Sequence, residues 1–261
     1  MADLDTPWLR RHRPSPGAGA RIICFGPAGA SANLFRGWAV RVSADVEVLS
    51  VAYPGRERRF EEPAIEEMET LAGAVADVLA SRLRIPTVLF GHSMGASVAF
   101  EVTRRLEAGG SGRPVGLVLS GRQSPALQRE RPSDAADYDD RRIIEHLREL
   151  GGTPPEMLED PDFRELVLPA FRTDFRLVGR YLPELEPMID TPLSVVLGDR
   201  DPGVPVADAD RWREVARRFA GIRTFPGEHF YLLDQEEEVV SHVVDFLTAR
   251  RAEAWSRSPV S

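Results

Sequence analysis

Two kinds of apolar spacing alternate along the chain. Five stretches are apolar at nearly every position: Arg21-Ile22-Ile23-Cys24-Phe25, Val46–Val51, Val88-Leu89-Phe90, Pro114–Ser120 and Pro192–Gly198. A strand that is apolar on both faces is buried on both, as in a parallel sheet covered by helices on each side. Between these runs, apolar residues recur every three or four positions, the spacing of a helix with one face on a core. Ile65, Met68, Leu71, Ala72, Val75, Val78, Leu79 and Leu83 predict a helix over 65–84, and Val239, Val240, Val243, Val244, Phe246 and Leu247 predict another over 236–250. Shorter helices are expected over 33–42, capped by Asn33, and over 208–219, followed by a last strand at Ile222–Phe225. Residues 1–20, rich in Pro, Gly and Arg, are expected to run along the surface, and the tail past about Ala252 to be disordered. The whole reads as an α/β fold with a mostly parallel central sheet and helices on both faces.

The alternation stops between about Arg122 and Pro187. No strand pattern occurs there; instead come an amphipathic segment around 141–150, a Gly151–Pro155 break and helical patterns across 163–182. Because the chain then returns to the sheet, 122–187 is expected to be a helical lid inserted into a single domain spanning 1–261. Its expected place is over the carboxyl ends of the strands, where open α/β sheets bind ligands.

One strand ends in a recognisable piece of chemistry. Val88-Leu89-Phe90 runs into Gly91-His92-Ser93-Met94-Gly95 and then into the helix-prone Ala96–Glu101. Strand, Gly-x-Ser-x-Gly and helix together make the nucleophile elbow of the α/β-hydrolase fold, with Ser93 projecting from a sharp turn. A serine hydroxyl needs a neighbouring base, and that base an orienting carboxylate, which follow in this fold in the order Ser, Asp or Glu, His. Of five histidines, His12 is in the N-terminal segment, His92 lies within the elbow, and His146 precedes every acid at a later strand end. His242 sits inside the final helix. His229, in the loop after the last strand, is therefore the expected base. The loop after the preceding strand offers Asp199 and Asp201; Asp201 is preferred from Gly198-Asp199-Arg200-Asp201-Pro202, and Asp199 stays open as the alternative. The oxyanion of an acyl-transfer intermediate needs two donors. One is the N–H of Met94 and the other comes from Gly26–Ala30, where Pro27 has none to give and Ala28 is preferred over Gly29.

Composition narrows the partners. A net charge of −8 argues against nucleic acid, although Arg10, Arg11 and Arg13, and Arg56, Arg58 and Arg59, are clusters able to meet an acidic group. All the Lys-plus-Arg positions are Arg. No apolar run approaches the ~18 residues that would span a bilayer, and the N-terminus has no secretion signal, so a cytoplasmic protein without membrane association is expected. Cys24 is the only cysteine and lies in an apolar strand, where a thiol acts as a small hydrophobe. The Asp199–Asp201 pair lacks further ligands, so neither metal nor cofactor is expected.

Phe25-Gly26-Pro27-Ala28-Gly29, Tyr53-Pro54-Gly55-Arg56, Gly91–Gly95, Leu147–Thr153, Phe171-Arg172-Thr173-Asp174-Phe175 and Pro226–Leu232 together resemble the type II thioesterases of polyketide and nonribosomal peptide biosynthesis. The resemblance spans nearly the whole chain. It departs at the first loop, where the family has Phe-Pro-His-Ala-Gly and this chain has Gly26-Pro27 in place of Pro-His. It implies hydrolysis of stalled or aberrant acyl groups from the phosphopantetheine arm of an acyl carrier protein; the protein is expected to be a monomer. An esterase or lipase of free small esters, release of a finished product, or a silent fold that binds a synthase remain as alternatives.

Overall fold

Seven strands pair into one sheet: β1 (Leu9–Arg11), β2 (Ala20–Phe25), β3 (Val46–Val51), β4 (Thr87–His92), β5 (Gly116–Ser120), β6 (Leu193–Gly198) and β7 (Phe219–Phe225). The computed structural model describes residue 4, residues 6–110 and residues 112–256. The spatial order is β1-β3-β2-β4-β5-β6-β7; every pairing is parallel except that of β1 with β3. The continuous apolar runs are explained by two separate cores. Ile23, Leu49, Leu89, Leu117, Leu119, Val195 and Leu197 point to one face, where they meet the helices Met68–Ala80 and Met94–Gly109. Their neighbours Ile22, Cys24, Val48, Val88, Phe90, Val118 and Val196 point to the other, against Trp38 and against Val239, Val240, Val243, Phe246 and Leu247 of the helix Glu236–Ser256. Period-two side-chain alternation thus sends both parities into apolar surroundings.

The N-terminal expectation needs correction, because residues 9–11 form an edge strand. Leu9-Arg10-Arg11 is too short and too charged to stand out as one, but the Trp8 carbonyl accepts the Ala52 N–H (2.9 Å) and the Arg59 guanidinium sits 4.0 Å over the Trp8 ring. The helix expected over 33–42 is a 3-10 turn, Ala32–Phe35, followed by a four-residue helix, Trp38–Arg41; its cap is Ser31, whose hydroxyl accepts from the Asn33 N–H, rather than Asn33. Over 208–219 a short helix, Val206–Ala209, passes into 3-10 turns, Asp210–Val215, and β7 begins earlier than expected. The last helix continues to Ser256, so order extends past Ala252; the remainder of the tail lies outside the described residues.

Between β5 and β6 the described chain holds no strand. It forms the helices Pro125–Glu130, Asp140–Leu150, Pro155–Glu159 and Pro161–Arg180. The last is one continuous helix across most of the region where the sequence predicts separate helical patterns, with Pro169 inside it. These helices share a small core of their own, built from Ala135, Ile143, Ile144, Leu147, Leu158, Leu168 and Phe175. No helix among the described residues is long and apolar enough to cross a membrane.

Candidate active site

β4 delivers Ser93 at the centre of the sheet. Ser93 has φ 54° and ψ −119°, a conformation that a residue with a Cβ adopts only at a cost, and its N–H is tied to the Ser120 carbonyl at 2.8 Å. The two motif glycines permit the turn. A Cβ on Gly91 would run into the backbone of Gly95 and Ala96, and one on Gly95 into the carbonyls of Phe25 and Gly26. Because the helix Met94–Gly109 starts at once, the Met94 N–H falls in a first turn where no intrahelical carbonyl can accept it.

The loops after β6 and β7 bring the expected acid and the expected base together. His229 Nδ1 lies 2.8 Å from Asp201 Oδ2, and the other oxygen, Oδ1, accepts the Gly203 N–H at 2.9 Å. Both side chains are almost wholly buried, at 5% and 0% exposure, so their attraction acts with little screening by water. With Nδ1 engaged, His229 Nε2 is left with no partner. Asp199, the alternative acid, is engaged elsewhere. Its Oδ1 accepts the Gly227 N–H (2.9 Å), which ties the loop after β6 to the loop after β7. Gly198 lets those loops touch, since a Cβ there would meet the carbonyls of Gly227 and Glu228.

Ala28 and Gly29 differ in the same way. The Gly29 N–H is taken by Asp174 Oδ2 at 2.7 Å, whereas the Ala28 N–H has no acceptor among the described residues. Ala28, Ser93, Met94 and His229 line one cavity of about 300 Å³. The helical insertion supplies its apolar wall, with Leu147, Leu150, Phe171, Phe175 and Val178, while Arg122 and Gln128 make a polar one. Burial lowers the Arg122 pKa to about 10, which still leaves it a cation at neutral pH.

Several residues at the site escaped sequence reasoning. His92 is fully buried, its ring centroid 4.9 Å from that of His229; its Nδ1 meets Ser120 Oγ (2.8 Å), which meets the Tyr231 hydroxyl (2.7 Å). Desolvation, with the nearby His229 charge second, holds the His92 pKa well below the usual histidine range, so this ring is neutral. A lone serine at the end of the apolar β5 was the available signal. His146, set aside by chain order, lines the cavity from the insertion. Cys24 is buried and its thiol pKa is pushed up by desolvation, which makes it inert. Four of the six clustered arginines serve internal contacts: Arg11 pairs with Glu47, Arg56 with Asp174 and Arg59 with Glu62, and Arg13 donates to the Val42 and Ser43 carbonyls.

Comparison with known proteins identifies the family. The thioesterase domain family model matches residues 20–247. The chain is 38% identical over 245 residues to the thioesterase PikA5 of Streptomyces venezuelae, covering 94% of this chain and 86% of that protein. Among solved structures it resembles the type II thioesterase BorB from the borrelidin biosynthetic cluster (34% identity, TM-score 0.84, 93% of this chain and 98% of that one). It also resembles YbtT, the type II thioesterase of the yersiniabactin pathway (30% identity, TM-score 0.83, 93% and 99%). The fold is accordingly that of the α/β hydrolases, and the chain belongs to the thioesterase family, as a serine hydrolase akin to the type II thioesterases of polyketide and nonribosomal peptide biosynthesis.

Proposed function

We propose that this enzyme removes stalled or aberrant acyl groups from the phosphopantetheine arm of an acyl carrier protein, with Ser93, His229 and Asp201 as its catalytic triad. The observation that supports the reading best is the buried Asp201–His229 pair beside a cavity that Ser93 shares. Asp201 fixes the ring so that Nδ1 carries the proton toward the carboxylate and Nε2 is free to act as base. His229 takes the Ser93 proton as Oγ attacks the thioester carbonyl, and the N–H groups of Ala28 and Met94 receive the oxyanion. The same imidazolium then protonates the departing thiol, and water, activated by His229, releases the acid from Ser93. The helices of 122–187 act as the lid. Their apolar wall takes the acyl chain, and about 300 Å³ suits a short one.

The carrier protein enters as a partner through the relatives' biosynthetic pathways, and we take the enzyme to be a cytoplasmic monomer. Replacing Ser93 tests the chemistry: Ser93→Ala is expected to abolish release of an acyl group from a loaded carrier protein, and undiminished turnover would remove the assignment. Faster hydrolysis of the same acyl group from a simple alcohol than from the carrier would replace the thioesterase reading with an esterase one.

A further inference from the structure

We infer that Asp174, a residue of the inserted helix Pro161–Arg180, is a positioning residue that sets the oxyanion loop, so that the loop is complete only while this helix is seated. The inference rests on the roles proposed above for Ala28 and Met94.

The loop from Gly26 to Asn33 is held at three places. At its start the Tyr53 hydroxyl donates to the Gly26 carbonyl (3.4 Å). Near its end Glu57 accepts from the Ala32 N–H (2.9 Å), the Ser31 hydroxyl (2.6 Å) and the Asn33 amide (2.9 Å). Both anchors come from the segment after β3. The middle turns on itself, the Ala30 N–H donating to the Pro27 carbonyl (3.1 Å), and its tie to the rest of the molecule comes from the insertion, where Asp174 Oδ2 accepts the Gly29 N–H at 2.7 Å and fixes the peptide plane that follows Ala28. Phe171, one turn before Asp174, packs where a Gly29 Cβ would be, and Gly29 itself takes φ 70°, which glycine tolerates.

Asp174 is in turn clamped to the sheet framework. Arg56 donates to both its oxygens, Nη1 to Oδ2 at 2.7 Å and Nη2 to Oδ1 at 2.6 Å, a bidentate pair with side chains 9% and 4% exposed. One carboxylate thus collects a donor from the oxyanion loop and two from the frame. An ion pair buried this deeply gives little net stability relative to apolar substitutes, whereas its three-way geometry specifies where Gly29 lies. The Phe171–Phe175 and Tyr53–Arg56 motifs, to which the triad gives no role, meet at this one contact.

Two variants test the assignment. Asp174→Asn removes the charge and half the fork. The paired Arg56→Met with Asp174→Leu removes both charges, so no orphan ion is left to unfold the protein, while Gly29 loses its acceptor. Weakening one oxyanion donor is expected to lower kcat by about 10- to 100-fold, somewhat less than the loss from removing a donor outright. KM for an acyl-loaded carrier protein stays within about threefold, because ground-state binding does not use that donor. The inhibition constant of butylboronic acid, which forms a tetrahedral anion on Ser93, rises by the same factor as kcat falls, a parallel that a merely structural role would not produce. Retention of kcat and boronate affinity within twofold in the paired variant overturns the inference, as does a rise in KM at constant kcat, which would make Asp174 part of the acyl pocket. A wild-type enzyme that neither turns over nor binds the boronate overturns the hydrolase reading, and this inference falls with it.

Discussion

Replacing Ser93 by glycine should make the protein more stable while destroying its activity. Ser93 is one of two non-glycine residues at positive φ among those described, the other being Glu57. Its φ 54° and ψ −119° place Cβ in a poorly populated region, which costs on the order of 1–3 kcal/mol. Glycine adopts this conformation without the penalty, since it is the mirror image of an ordinary extended turn conformation. Against that gain stands the extra freedom of glycine in the unfolded chain, roughly 0.5–1 kcal/mol. The net gain is about 1 kcal/mol within a range of roughly 0–2.5, and 1 kcal/mol is ~2–4 °C in melting temperature for a domain of this size. Alanine supplies the control, because Ser93→Ala loses the hydroxyl but keeps the Cβ and therefore the strain. Thermal or urea unfolding of the three proteins should rank glycine above alanine, with alanine close to the parent. A glycine variant that melts at or below the alanine variant would refute the idea that the elbow stores strain.

The buried neutral His92 should make stability fall in mild acid. Its pKa is depressed in the fold, so below about pH 6.5 only the unfolded chain takes up the proton, and up to about 1.4 kcal/mol is lost per pH unit until the folded pKa is reached. Above pH 6.5 both states are neutral and the group contributes no slope. Unfolding at pH 7.5 and pH 5.5 should show a smaller loss in His92→Asn than in the parent; equal losses would contradict the assignment. Asp201→Asn should lower turnover by ~10⁴-fold, by analogy with the same change in other triads, while Asp199→Asn, which only loosens the tie to Gly227, should cost less than about tenfold. The reverse ranking in a steady-state assay would exchange the two acids. Gly95→Ala should cost about 3 kcal/mol or more, seen as a lowered urea midpoint or insoluble expression, because its Cβ points into the Phe25 carbonyl; a midpoint like the parent's would mean the turn can yield.

The parallel core of the sheet was legible because β2, β3, β4, β5 and β6 are buried along their entire lengths, and burial on both faces leaves an unbroken apolar run in the sequence. β1 was not, since it has three residues, two of them Arg, and its pairing is decided by contacts with Ala52 and Arg59 that lie far away in the chain. The 3-10 turns at Asp210–Val215 read as a helix for a related reason: Trp212 and Val215 are buried at a spacing that suits either geometry. Within the site, the elbow announces itself locally, and chain order brought His229 and Asp201 to notice. What could not be read is pairwise. Nothing local in Asp174 or Arg56 says that they meet across 118 positions, and nothing in His92 says that it is buried with Ser120 and Tyr231. The preferences for Ala28 over Gly29 and for Asp201 over Asp199 came from motifs, which do not show that the Gly29 N–H is engaged by Asp174 and Asp199 by Gly227.

The helical excursion leaves the sheet after Ser120 and re-enters at Leu193, and the strands it joins are immediate neighbours. A detour with both ends side by side, and with its own small nucleus of apolar residues, can be lengthened, trimmed or exchanged between relatives without rethreading the framework. Descendants of this scaffold could therefore inherit the reacting groups intact while the chamber above them diverges. A replacement excursion would still have to meet the framework where Asp174 accepts the Gly29 N–H and Phe171 packs against Gly29.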